Sequence, residues 1–195
     1  MNGSDAQSNL PDMETERLRL RLLSEEDISF IYRIFSLEET NRYVSNPPVR
    51  DMSEAREIYE KYCSPRLHLF RIGMELKETG KLIGTLGLYA IDAENRRATL
   101  GFDLLPEHWG NGYMAEACAA LLDHAFKQMG MNRIQASAEP DNIRSIRVME
   151  RLGFTREGVM RQLDYYKGAF HDDVVFSILR DEWDVKRNDY KPPAQ

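Results

Sequence analysis

"HWGNGYMAEA", residues 108–117, sets two glycines one residue apart in front of an aromatic residue and a run of good helix formers. Glycine is the poorest ordinary residue inside a helix, costing about 1 kcal/mol against alanine. Yet Met114, Ala117, Cys118, Leu121, Leu122, Ala125 and Phe126 follow helical spacing without a break. The spacing predicts a helix over 113–128 with a bare, flexible backbone at its mouth. Such a turn exposes backbone N–H groups and the positive end of the helix dipole, and it lets a phosphate come close. The bland alternative is a tight strand-to-helix turn that binds nothing, and short glycine motifs alone do not decide between the two.

The flanking sequence supplies the frame. "RRATLGFDLL" (96–105) reads as a strand stopped by Pro106, and "RIQASAE" (133–139) as a second strand, so residues 97–138 form one strand–helix–strand unit. "NIRSIRVMERLGF" (142–154) reads as a helix closed by Gly153, a good left-handed cap. Upstream, "RLRLRLL" (17–23) alternates with period two, a half-buried strand. "SEED" (24–27) opens a helix with Ile28, Ile31, Ile34 and Phe35 on its core face, and Ser53 opens another through Ile58, Tyr59 and Tyr62. "LHLFRIGMEL" and "KLIGTLGLYAI" flank "KETG" as an antiparallel hairpin, and two strand-like stretches follow at 157–166 and 173–180. The expected architecture is a mixed α/β (α+β) fold: a mostly antiparallel sheet with one parallel pair, flanked by helices. Residues 1–12 and 187–195 read as loose tails around a single domain over 13–186.

Composition agrees. The chain has 195 residues, 42% hydrophobic and 30% charged, enough for one sizeable core. A net charge of −6 argues against nucleic acid as a partner and suits a cationic one such as an amine. No apolar run is long enough to span a bilayer, and "MNGSDAQSNLPD" lacks the basic flank and apolar stretch of a signal peptide, so a cytoplasmic, membrane-free protein is expected. Cys63 and Cys118 make no metal or disulfide pattern, and His68, His108, His124 and His171 are scattered, so no metal is expected. An exposed sheet edge near the C-terminal strands leaves monomer and homodimer both open.

Three phosphate-binding designs compete for the glycines. A P-loop is excluded because no Gly-Lys-Ser/Thr follows. A dinucleotide fold fits Gly110-x-Gly112-x-x-Ala115, with Glu139 as a ribose ligand, but Pro106–Trp109 intervenes after the strand and only one parallel unit is visible. The third is the GNAT superfamily of acyl-CoA N-acyltransferases, which the chain resembles from Met13 to Trp183. "LGFDLLPEHWGNGYMAEA" resembles that family's fourth strand, pyrophosphate loop and third helix. "AEPDNIRSIRVMERLGF" resembles its fifth strand and Asn-x-x-Ser helix, and "GVMRQLDYYKGAFHDDVVFSILRDEW" is similar to the ribosomal-protein N-terminal acetyltransferase branch.

The resemblance implies the GNAT fold, its parallel pair at the cofactor cleft, and direct transfer of acetyl from acetyl-CoA to a primary amine in a ternary complex. The acceptor is either a protein N-terminus or a small molecule. The alternatives are another acyl-CoA or a non-catalytic acyl-CoA-binding module. For the cofactor it implies Leu104, Leu105, His108, Trp109, Gly110, Asn111, Gly112, Tyr113, Met114, Asn142, Arg144, Ser145 and Arg147. A splayed strand at Leu104 or Leu105 would free a backbone N–H for the thioester carbonyl. Two positions depart from the family's habit. Glu107 stands where a Gln or Arg often opens the loop, and Met149 where many relatives carry a tyrosine acid; the branch that the chain resembles uses the serine three residues after the asparagine instead, which implies Ser145 as the thiolate's proton donor.

The chemistry needs a base, because a charged ammonium with a pKa of about 10.4 is not nucleophilic. Glu139 and Asp103 are both candidates, directly or through a water; each could equally be a solvated carboxylate or a helix cap. Asn142 suits an N-cap as well as a CoA contact. Arg144, Arg147 and Arg151 share one helix face, either solvated or facing a CoA phosphate. Tyr165, Tyr166, Asp172 and Asp173 either line the acceptor side or pack as ordinary strand residues.

Overall fold

The computed structural model describes residues 12–63 and 69–189. Leu67 and His68 of the expected hairpin, nearly all of the N-terminal tail and residues 190–195 lie outside that range. A two-residue strand β1 (Met13–Glu14) pairs with β2 (Leu18–Leu22), whose alternation buries Leu18 and Leu20 and leaves Arg19 outside. Ser24 opens a 3₁₀ turn through a capping box with Asp27, and the turn runs into α1 (Ile28–Phe35), which buries Ile28, Phe30, Ile31 and Ile34. Asp51, not Ser53, caps α2 (Met52–Ile58): its carboxylate accepts from the N–H groups of Ser53 and Glu54 at 2.9 and 3.0 Å. Asp and Ser serve equally at that position, and Asp51 comes first. Tyr59 and Tyr62 then fall in a single π-helical turn, Tyr59–Cys63.

β3 (Leu69–Leu76) and β4 (Lys81–Asp92) form the expected hairpin, and β5 (Arg97–Leu104) follows on β4. α3 (Tyr113–Lys127), β6 (Arg133–Ala138) and α4 (Ile143–Arg151) stand where the spacing put them. The last two strands are longer than expected. β7 (Thr155–Tyr166) and β8 (Ala169–Leu179) are one hairpin, joined at Lys167 and Gly168, both with positive φ (50° and 82°), the backbone of a tight primed turn. A helix the sequence did not announce, α5 (Arg180–Asp189), extends into the segment read as a tail. Its anchor is Trp183, fully buried, whose indole N–H donates to Asp123 at 3.1 Å.

Among the described residues eight strands run in the order β1-β2-β3-β4-β5-β6-β8-β7, and only β5 and β6 are parallel. Their pairing is short, from Arg97↔Arg133 to Thr99↔Gln135. Beyond it β5 stays with β4 as far as Gly84↔Leu104, while β6 stays with β8 as far as Ala138↔Val174. The sheet therefore forks at its middle, and the fork faces the N-terminus of α3. The main core joins the sheet to α3, the end of α4 and Trp183, while a second cluster gathers α1, α2, Cys63 and Leu105.

One ion pair ties β2 to α1. Arg21 donates to both oxygens of Asp27 at 2.8 and 3.0 Å, and the Ser24 N–H adds a third bond at 2.8 Å. Burial alone would raise the Asp27 pKa, but these donors and the guanidinium charge together hold it below the usual carboxylate value. Because the folded pKa is depressed, the stabilisation is present above the unfolded pKa, about 3.9, and is lost as pH falls through the folded value. Asp27→Asn is expected to lose about 2 kcal/mol at pH 7, measured by urea unfolding. The difference from the parent should shrink below about pH 4; a difference independent of pH would show that charge is not what Asp27 contributes.

Candidate active site

The glycine loop has the geometry its sequence asks for. Pro106–His108 makes a 3₁₀ turn, and Gly110 and Gly112 follow with φ of +82° and +75°, in the left-handed region that side chains disfavour. Gly112 is the N-cap of α3 and brings no side chain to the cap. The N–H groups of the first turn, Tyr113 to Ala115, are thus left without an intrahelical acceptor. The loop is braced from behind. Arg17 donates to the Asn111 carbonyl at 3.1 Å and to Glu116 at 2.7 Å, and its guanidinium lies 4.5 Å from the centre of the Tyr113 ring. Buried Glu116 also accepts from the Thr15 hydroxyl and the Arg17 N–H.

Two cavities open on the fork. One, of about 470 Å³, is bounded by Leu104, Trp109, Gly110, Gly112 and Met114 on the loop side and by Asn142, Arg144, Ser145 and Arg147 on α4. The other, of about 440 Å³, lies toward α1, α2 and the β7–β8 hairpin. They meet at Tyr43, Val44, Phe102, Asp103, Asn142 and Ser145, which border both. The roof there is the chain between α1 and α2, held by the buried Asn41 amide on the Phe35 and Leu37 carbonyls, both at 2.7 Å. Lys167 of the hairpin turn donates to the Asn41 and Arg42 carbonyls at 2.7 and 3.1 Å.

Four of the residues expected at the cofactor turn their side chains elsewhere. Leu105 is fully buried in the second cluster, His108 meets the Tyr113 ring edge-on at 6.2 Å, Asn111 donates to the His108 and Trp109 carbonyls at 3.2 Å, and Tyr113 sits against Arg17. They shape the loop; its wall is made by the others. Strand parity distinguishes Leu104 from Leu105. The Leu105 N–H is spent on the Ile83 carbonyl at 2.9 Å. Neighbouring residues of a strand point their backbone groups to opposite sides. Leu104 therefore turns toward the side that β6 has left, and its carbonyl accepts there from the Trp109 indole at 2.8 Å.

On α4, Asn142 is an N-cap, accepting from the Ser145 N–H at 3.3 Å, and it also borders both cavities. Arg144 stacks over the Trp109 ring at 4.1 Å, which fixes a cation at the mouth of the first cavity. Met149 is in the core, 1% exposed, so the place of the family's tyrosine is taken by packing. Glu107 pairs with Arg33 outside the cavities.

The two candidate carboxylates differ in setting. Asp103 lies at the junction against Arg71, whose Nε donates to Thr85 at 2.9 Å. Burial pushes the Asp103 pKa up, and the Arg71 charge opposes it without cancelling it. Glu139 lies on the wall of the second cavity only, held by the Tyr166 hydroxyl and by His171 Nδ1 at 3.0 Å. Asp173 reaches the same wall and accepts from Ser137 at 2.6 Å, whereas Tyr165 is 66% exposed against Phe170 and Asp172 accepts from the Gln162 N–H. Sequence reading missed Arg17, Arg71 and His171. Each acts through a residue distant along the chain, and no local pattern announces it.

The gap of the forked sheet thus receives an uncapped helix N-terminus from one side and a separate cavity from the other. Residues 17–155 match the model of the acetyltransferase (GNAT) domain. The chain is 37% identical over 171 residues to an uncharacterized N-acetyltransferase, p20, of Bacillus licheniformis, covering 87% of this chain and 96% of that one. It is 34% identical over 172 residues to the uncharacterized N-acetyltransferase YoaA of Bacillus subtilis, covering 87% and 97%. The crystal structure of a spermidine N-acetyltransferase from Vibrio cholerae, in complex with CoA and spermine, superposes with a TM-score of 0.75 at 24% identity, over 87% of this chain and 99% of that one. The chain belongs to the GNAT acetyltransferase family and is an N-acetyltransferase. Among the described residues no helix is long and apolar enough to cross a membrane.

Proposed function

We propose that the chain moves the acetyl group of acetyl-CoA to a primary amine that carries an apolar body, in a ternary complex assembled across the fork. The observation that carries this reading is the meeting of the two cavities at Asp103 and Ser145, beside the free side of Leu104. The pyrophosphate fits the uncapped N–H groups at the start of α3, with Arg144 and Arg147 on the opposite wall. The thioester carbonyl then lies by the Leu104 N–H, which stabilises the oxygen as it gains charge. The amine nitrogen attacks the carbonyl carbon, the C–N bond forms and the C–S bond breaks. The amine's proton goes to Asp103, directly or through one water, and the thiolate takes a proton from solvent, either directly or relayed through the Ser145 hydroxyl, which solvent refills.

The acceptor chemistry follows from the second cavity. Its lining carries Asp103, Glu139, Asp164 and Asp173 with, among the described residues, one guanidinium, Arg71, and it also includes Phe35, Ile58, Tyr62 and Phe70. That combination suits a cation on an apolar frame: a peptide N-terminus with an apolar first residue, or an aryl- or alkylamine. Acetyl-CoA is expected to raise the melting temperature while NAD and NADP at equal concentration do not, since only a ligand bound by the native state stabilises it. A panel of peptides, aryl- and alkylamines and linear polyamines, read by product mass, then tests the acceptor. Exclusive acetylation of polyamines would overturn the apolar-body reading. Acetyl-CoA binding without turnover of any amine would leave a binding module.

A further inference from the structure

Glu139 is gripped from behind. Tyr166 and His171 lie on the two strands of one hairpin, on either side of its turn, and reach back to the end of β6. The Tyr166 hydroxyl donates to Oε1 of Glu139, and His171 Nδ1 stands 3.0 Å from Oε2. The two rings stack at 3.8 Å with 14° between their planes, and His171 Nε2 lies 3.2 Å from the Tyr166 carbonyl. Tyr166 and Glu139 border the second cavity. A carboxylate offers about four acceptor positions, and one donor on each oxygen leaves the others open.

We propose that Glu139 receives the acceptor's ammonium group, and that His171 is a positioning residue that sets the direction of its carboxylate. This rests on the reading of the second cavity as an amine site. A glutamate side chain alone turns freely about its bonds, and fixing it only when the ligand arrives weakens binding. Donors on both oxygens fix the plane of the carboxylate in advance, so its open positions face the cavity before the amine enters. Location separates this role from that of the base: Asp103 stands at the junction where the bond forms, and Glu139 on the wall beside it. Of the nearby cations, Arg71 is committed to Asp103, and Lys167, 5.7 Å from the Tyr166 ring, to the roof carbonyls.

Two substitutions separate the donor from the ring. In His171→Asn the amide nitrogen takes the place of Nδ1 and keeps the bond to Glu139, while in His171→Phe the stacked ring stays and the donor is lost. Steady-state kinetics with the amine found by the panel should show His171→Phe raising the amine KM roughly tenfold, with the acetyl-CoA KM and kcat at saturating amine within about twofold. His171→Asn should recover most of that loss. Tyr166→Phe, which removes a single hydroxyl, should move the amine KM in the same direction and serves if His171→Phe does not fold. An unchanged amine KM with a lowered melting temperature would overturn the proposal, leaving a tie between hairpin and sheet. Equal losses in His171→Asn and His171→Phe, or a fall in kcat at constant KM, would overturn it as well. In all these cases the parent still acetylates amines. A parent enzyme that acetylates none overturns the proposal together with the reading beneath it.

Discussion

Gly112→Val is expected to weaken CoA binding by about 10²-fold or more, measured by calorimetry on the folded variant, because a hydrogen bond to a charged group contributes about 1.5–3 kcal/mol and the loop offers several. Gly112 sits at φ +75° as the N-cap of α3. An L side chain there costs about 1–2 kcal/mol, and a β-branched one more. The backbone relaxes by turning away from the left-handed region, and that rotation takes the first-turn N–H groups with it. Gly112 also borders the cofactor-side cavity. Gly130→Val separates strain from binding. Gly130 has φ +69°, a Cβ there meets nothing within 4 Å, and it follows the other end of the fifteen-residue α3, about 22 Å away at 1.5 Å per residue. It should lose similar stability and keep its affinity for CoA. Equal affinity in Gly112→Val and the parent would remove the phosphate from this loop.

What could be read in the sequence was what repeats or breaks locally. α3 was legible because its stripe of seven apolar positions has one period, and α4 because it lies between an asparagine cap and a left-handed glycine. α5 was not legible. "RDEWDVKRND" contains Trp183 and Val185 as its only strongly apolar residues, and Val185 is 68% exposed, so the helix docks by one buried indole together with polar ties from Arg180, Lys186 and Arg187 to distant residues. The loop was legible as a class, but parity decided which leucine faces the gap, and parity depends on where β4 ends its pairing with β5. Glu139 and Asp103 looked alike as acids at strand ends. Arg71 on β3 and His171 on β8 tell them apart, and both arrive through the pairing of distant strands.

That difference in setting leads to the other large effect. Asp103→Asn is expected to lower kcat by about 10²–10⁴-fold, the usual contribution of a positioned base. The acetyl-CoA KM and the melting temperature should change little, because the amide keeps the shape and still offers an oxygen to Arg71. The pH dependence gives the sharper reading. Burial raises the Asp103 pKa, and Arg71 lowers it only in part. The parent's kcat/KM should therefore climb with pH through a step above the usual carboxylate range, as Asp103 loses its proton, before the amine's own titration takes over. In Asp103→Asn the first step should vanish and only the amine's should remain. Ser145→Ala should cost much less, about tenfold or below, because a thiol with a pKa of about 8.5 leaves tolerably as its anion. The place of a tyrosine acid is already filled by the core residue Met149. If Asp103→Asn keeps more than a tenth of the parent's kcat and both steps of its pH profile, the amine's proton leaves by another route, and Asp103 serves to hold Arg71 at the wall of the acceptor cavity.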